Sequence, residues 1–151
     1  MSLVDKIDEK YKISIKEKDN NATNTLRLIK SSIKDKEIAL RSKQEKLLDK
    51  DILSLLQNMI KQRKDSIEAF AKANRNDLIE KEKNEVLVIE KFLPQQLSEG
   101  EAQKIIAKII QENNLSSLKD MGKLMSIIKK NYVGQIDMGV AGKIAKSSLG
   151  N

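Results

Sequence analysis

Residues 61–101 read KQRKDSIEAFAKANRNDLIEKEKNEVLVIEKFLPQQLSEGE, and this stretch decides how the chain is built. A charged amphipathic helix runs into it and ends near Ala73. Asn74 then offers a residue that tolerates the left-handed backbone of a helix end. Asp77 and Glu80 form an acidic box at the start of the next helix, which carries Leu78, Glu82, Val86, Ile89 and Leu93 on one side. Lysines and acids dominate its other side over 80–90, the pattern of a solvated, ion-paired surface. Pro94, the only proline, removes a backbone donor and biases Leu93 away from helical angles. Ser98 and Glu101 make a capping box, with Leu97 and Ala102 placed for a hydrophobic staple. The chain therefore divides into 1–93, a hinge at 94–97, and a tail at 98–151.

The rest of the chain also has helical periodicity. Leu3, Ile7, Tyr11 and Ile15 recur every four residues, which predicts a helix over 3–18 with one apolar stripe. Asp19-Asn20-Asn21 is a turn signal. A second helix runs to about Ser42, with Leu26, Ile29, Ile33 and Leu40 inward and Leu28 and Ile38 widening the stripe. A third starts near Asp49 or Asp51, where an acid suits the positive end of the helix dipole. It carries Ile52, Leu56, Met59, Ile60, Ile67 and Phe70, interrupted by Arg63. In the tail, helices are predicted over 99–113 (Ile105, Ile106, Ile109, Ile110 inward), 120–132 (Met121, Leu124, Met125, Ile128) and 137–149 (Val140, Ile144, Leu149). Gly134 ends the middle one. The fold class is all-α: an N-terminal long-helix bundle and a small C-terminal three-helix domain.

Composition removes whole classes of chemistry. The 151 residues include no histidine and no cysteine, so disulfides, thiolate nucleophiles, imidazole bases and His/Cys zinc sites are excluded. No Gly-x-x-x-x-Gly-Lys loop is present to cradle phosphate. Ser31/Lys34 and Ser147/Lys143 have helical spacing, but a lysine base must be buried and tuned, and chance surface pairs are common. Carboxylate pairs such as Asp49/Asp51 and Glu80/Glu82 lie in charge-rich helices, where capping and solvation account for them. No catalytic residue, metal or cofactor is expected. The N-terminus has no apolar core of a secretory signal, and the aliphatic run 105–110 is broken by Lys108 and too short to span a bilayer. A cytoplasmic protein with no membrane partner is the default expectation.

Charge is the remaining signal. The net charge is +7, with 21 bases against 17 acids over 1–93 and eight bases against five acids over 94–151. The tail is the more one-sided piece, and Lys119, Lys123, Lys129, Lys130, Lys143 and Lys146 are candidate phosphate contacts. The bland alternative is that lysines keep a helical surface solvated. With only four aromatic residues, stacking on exposed rings is an unpromising mode, so RNA recognition is expected through phosphate and shape. The sharpest local motif is Asp120-Met121-Gly122-Lys123. Asp120 is placed to cap the helix. Gly122, in its first turn, suits either tight packing against Gly139 or Gly142 or the approach of an RNA backbone to helix amides; packing is the commoner use.

Several motifs together resemble those of the GatB/YqeY family: Thr25-Leu26-Arg27-Leu28-Ile29-Lys30, Gln62-Arg63-Lys64-Asp65-Ser66-Ile67-Glu68-Ala69, Glu80-Lys81-Glu82, Phe92-Leu93-Pro94-Gln95-Gln96-Leu97, and Asp120-Met121-Gly122-Lys123. The resemblance covers almost the whole chain. It implies a helical bundle followed by a three-helix domain similar to the tail of the B subunit of glutamine-dependent aspartyl/glutamyl-tRNA amidotransferases. That tail is associated with tRNA engagement, and the kinase and glutaminase centres lie on parts this chain lacks. The resemblance therefore implies a non-catalytic tRNA-binding or amidotransferase-like accessory protein. It carries a family-level association with carbon–nitrogen ligase activity using glutamine as amide donor. The implied partners are tRNA and a tRNA amidotransferase or aminoacyl-tRNA synthetase component. The rival expectation is a protein-interaction module whose tail docks a partner helix.

Overall fold

A computed structural model describes residues 2–150. Among them are seven α-helices, one 3-10 turn and no strand. The chain forms two compact units, Met1–Leu93 and Pro94–Asn151.

The first unit comprises α1 (Leu3–Lys16), α2 (Asn20–Arg41), α3 (Asp49–Lys72) and α4 (Asn76–Glu90). Its core is aliphatic: Leu3 and Ile7 of α1, Leu26, Ile29 and Ile33 of α2, Ile52, Leu56, Met59 and Ile60 of α3, and Val86 and Ile89 of α4. Ser2 caps α1, its hydroxyl accepting from the Asp5 amide. Asp19 starts α2 in the same way, accepting from the Ala22 amide at 3.1 Å. The left-handed Asn74 (φ 55°) turns the chain from α3 into α4.

Helical geometry corrects several expectations. Ile15 is half exposed, and Ser14 is buried in its place. At about 100° per residue, Ile15 is rotated roughly 120° from Leu3, whereas Ser14 lies within about 20° of it. The Ser14 hydroxyl donates to the Tyr11 carbonyl at 2.7 Å and accepts from the Thr23 hydroxyl at 2.8 Å, which makes its burial tolerable. Leu28 and Ile38 do not widen the α2 stripe; both are about half exposed. Asp77 and Glu80 form no box. Arg75 stands at the N-cap without a side-chain cap bond, and its guanidinium holds the Asp77 carboxylate through two contacts of 3.2 Å. That hydrogen bond lowers the Asp77 pKa and raises that of Arg75. The polar side of α4 is not wholly solvated either: Glu85 is buried. Its partner is Arg63, the residue that interrupts the α3 stripe.

The motif 25–30 explains itself as packing. Thr25, Leu26 and Ile29 are buried. Arg27 donates to the Tyr11 hydroxyl, while the Lys30 ammonium lies 3.0 Å from the Asp8 carboxylate and 4.6 Å from the Tyr11 ring centre. Polar and apolar sides of this motif both fasten α2 to α1.

The second unit comprises α5 (Glu99–Glu112), the 3-10 turn Leu118–Asp120, α6 (Met121–Asn131) and α7 (Met138–Leu149). Its own core gathers Ala102, Ile106, Ile109, Leu115, Leu124, Ile128, Ile136, Ala141, Ile144, Ala145 and Leu149. Val140, expected inward, is exposed; Ala141 and Ala145 occupy the centre of the buried α7 face instead. The 94–97 segment is tied into this unit. The Leu97 amide donates to the Gln135 carbonyl at 2.8 Å, and the Gln96 side-chain amide donates to the carbonyls of Pro94 and Gly134. Gly134 has φ 79°, a left-handed conformation that favours glycine, just after α6 ends. Ser98 caps α5 by accepting from the Glu101 amide at 3.1 Å. The Glu101 carboxylate accepts from the Ser98 hydroxyl, not from its amide, so only half of the expected box forms.

Candidate nucleic-acid interface

The six candidate lysines lie on the second unit. Lys119 is in the 3-10 turn, Lys123 in the first turn of α6, Lys129 and Lys130 in its last turn, and Lys143 and Lys146 on α7. All six are exposed, and none is in an ion pair among the described residues. Lys123 and Lys130, seven residues apart, share one face of α6; Lys129 is turned roughly 100° from Lys130. Lys143 and Lys146 are neighbours on the side of α7 away from its buried alanines. The lysines thus lie on more than one helical face.

Four of the five acids of this unit, all but Glu99, are engaged elsewhere. The Asp120 carboxylate accepts from the amides of Ser116, at 2.8 Å, and Ser117. This corrects the expectation that it caps α6, to which it gives no side-chain bond. It closes the 3-10 turn before the helix. Asp137 accepts from the Gly139 amide at 2.6 Å and so caps α7. Glu101 takes the Ser98 hydroxyl, and Glu112 pairs with Lys108 at 3.8 Å. Three of the lysine positions have a structural use, since Lys129 and Lys130 in the last turn of α6, like Lys146 in that of α7, suit the negative end of the helix dipole.

Gly122 does not pack tightly. A Cβ built there, or at Gly142, meets nothing within 4 Å, so the packing explanation falls. Between α5 and α6 an open cleft of about 360 Å³ is lined by Ile105, Ile109 and Ile127 together with Lys108, Lys130 and Tyr132, among others. Sequence reasoning missed Lys108 and Tyr132. The available signals were a lysine breaking an aliphatic run and the single aromatic ring of the tail.

Neither Ser–Lys pair has the buried lysine that base chemistry needs. Ser31, Lys34, Lys143 and Ser147 are all exposed. Among the described residues no group of three or more acids is placed to hold a metal ion, and no helix is long and apolar enough to cross a membrane.

The fold and the surface define a class: a two-unit all-helical protein whose smaller unit carries uncompensated positive charge. The chain belongs to the YqeY-like protein family, which it matches over residues 4–149. It is similar to the mitochondrial protein named altered inheritance of mitochondria protein 41. With that of Lachancea thermotolerans it is 38% identical over 113 residues, covering 70% of this chain and 59% of the relative. With that of Kluyveromyces lactis it is 37% identical over 121 residues, 80% of this chain and 61% of the relative. An uncharacterized protein of Schizosaccharomyces pombe is 37% identical over 92 residues, 61% of this chain and 72% of the relative. The chain spans about three fifths of the length of the two mitochondrial relatives. Their names overturn the expectation of a cytoplasmic protein and point to mitochondria. The expectation failed because lacking a secretory signal or membrane span does not distinguish one aqueous compartment from another.

Proposed function

We propose that this protein is a non-catalytic RNA-binding accessory factor whose second unit holds a structured RNA, tRNA foremost, through its phosphates. One observation carries this reading: six exposed lysines stand without acid partners, while four of the unit's five acids are bound to backbone, to Ser98 or to Lys108. Uncompensated lysines attract polyanions and release counterions on binding. In the finer form of the proposal, the protein assists glutamine-dependent tRNA amidation beside a tRNA amidotransferase or a synthetase, with the chemistry on the partner. The mitochondrial relatives extend the proposal to tRNA of that compartment.

The full chain should be titrated with mixed tRNA and with a size-matched DNA duplex from low to near-physiological salt. Preference for tRNA that persists in salt is expected. Replacing Lys123, Lys129 and Lys130 with Ala should weaken it and lower the slope of log K against log salt by up to about three. Weak, equal binding of both nucleic acids that vanishes with salt would reduce the attraction to generic polyanion binding. The partner-helix reading draws on Leu118 and Val140, apolar residues left exposed on this unit. It requires their replacement, and not loss of lysines, to abolish capture of an amidotransferase component.

A further inference from the structure

We infer that the α5–α6 cleft receives one unstacked nucleotide of the bound RNA, with its base against the Tyr132 ring. This rests on the RNA-binding reading above and names the kind of RNA it takes: one presenting an unpaired base. The cleft has the parts such a ligand needs. Its volume, about 360 Å³, falls in the range of small-ligand sites. Ile105, Ile109 and Ile127 supply apolar surface for a base face, and Tyr132 supplies an aromatic one. Asn113 and Asn131 bring amides that can meet a base edge. The Asn131 side-chain amide and the Tyr132 hydroxyl are in no hydrogen bond among the described residues, while the Asn113 side-chain nitrogen already donates to the Ile109 carbonyl. Lys130, in no ion pair among the described residues, stands at the same cleft for the phosphate. Glu112 is the one acid lining it, and Lys108 lies 3.8 Å away to offset it.

Lys108, Glu112, Asn113, Lys130 and Asn131 make up most of the lining, which suits a nucleotide better than the apolar ridge of a partner helix. Lys130 shares its α6 face with Lys123, so a phosphate track and the cleft adjoin. Scarcity of rings argues against stacking a run of bases along an exposed surface; a single ring inside a cleft takes a single base.

The test uses the full chain and two probes: an RNA hairpin with an unpaired loop, and a blunt RNA duplex with the same number of phosphates. Tighter binding of the hairpin is expected. Tyr132→Leu should remove that preference, lowering hairpin affinity about tenfold and leaving duplex affinity unchanged, whereas Tyr132→Phe keeps it. Because Tyr132 also packs against the core of its unit, ring NMR signals of the unmutated protein provide a second readout. Those of Tyr132 should shift upfield with the hairpin, while those of Tyr11, the only other tyrosine, stay. Equal binding of both RNAs, or a Tyr132 signal that the hairpin leaves in place, overturns the base site and leaves phosphate binding standing; the cleft then falls to a protein partner. Binding of neither RNA overturns both readings.

Discussion

The Arg63 guanidinium Nε donates to Glu85 Oε2 at 2.8 Å, joining the middle of α3 to α4, and both side chains are only 12% exposed. Arg63 also donates through Nη1 to the Met59 carbonyl at 3.1 Å, so it is bonded on two sides. A charge held away from water is tolerable only while its partner is present. Glu85→Ala should therefore destabilise the first unit by about 3 kcal/mol, read as a lower urea midpoint followed at the Tyr11 ring. Arg63→Met combined with Glu85→Leu removes both charges and should recover most of that loss. A single variant that shifts the midpoint by less than a double one would contradict this account.

Burial separates a leucine of α2 from one of α3. Leu56 is fully buried at the centre of the first unit's core, and Leu28 is 48% exposed. Leu56→Ala should cost about 2–5 kcal/mol, through lost transfer energy and the cavity left behind. Leu28→Ala should stay within about 0.5 kcal/mol. The comparison needs only urea midpoints of the two variants, and a large loss at Leu28 would mean that this side of α2 is covered in solution.

Those two leucines also mark where the sequence was legible. Leu26, Ile29 and Ile33 recur at helical spacing, so the buried face of α2 follows from periodicity alone. Leu28 lies about 100° from Ile29, and its apolar character by itself says nothing about exposure. The charged neighbours of Glu85 give it the pattern of a surface residue, and its burial depends on Arg63, twenty-two residues away. Local patterns cannot report a partner across such a distance. The same limit hid the cleft. Lys108 and Tyr132 belong to different helices or helix ends, and only packing of α5 on α6 brings them to one site. The helix boundaries, by contrast, followed Asp19, Asn74 and Ser98, whose capping and turning roles act within a few residues.

Asp120 is expected to matter before α6, not within it. Its carboxylate holds the amides of Ser116 and Ser117 and so shapes the turn after α5. Asp120→Ala should destabilise the second unit by about 1 kcal/mol, and Asp120→Asn by less, because the amide oxygen still accepts. Urea unfolding followed at Tyr132 separates this from effects on the first unit. If Asp120→Ala instead raised amide exchange at the first turn of α6 and spared 116–117, a direct cap on α6 would have to be restored.

Gly122 and Gly142 lie inside helices, in open space where a Cβ meets no neighbour within 4 Å. Nothing in the fold requires a missing side chain at either position. Alanine lowers the conformational entropy of the unfolded chain, so Gly142→Ala, in mid-helix, should stabilise the second unit by about 0.4–1 kcal/mol. Gly122→Ala should do the same or slightly less, since it sits in the first turn of α6. Gly122 has a second consequence that Gly142 lacks, because it adjoins Lys123 at the start of α6. If an RNA backbone approaches the first-turn amides, the added methyl weakens tRNA binding while the urea midpoint rises, and Gly142→Ala leaves binding alone. Opposite signs for stability and affinity at Gly122 would place phosphate at this turn. Unchanged affinity would confine the phosphate contacts to the lysine side chains.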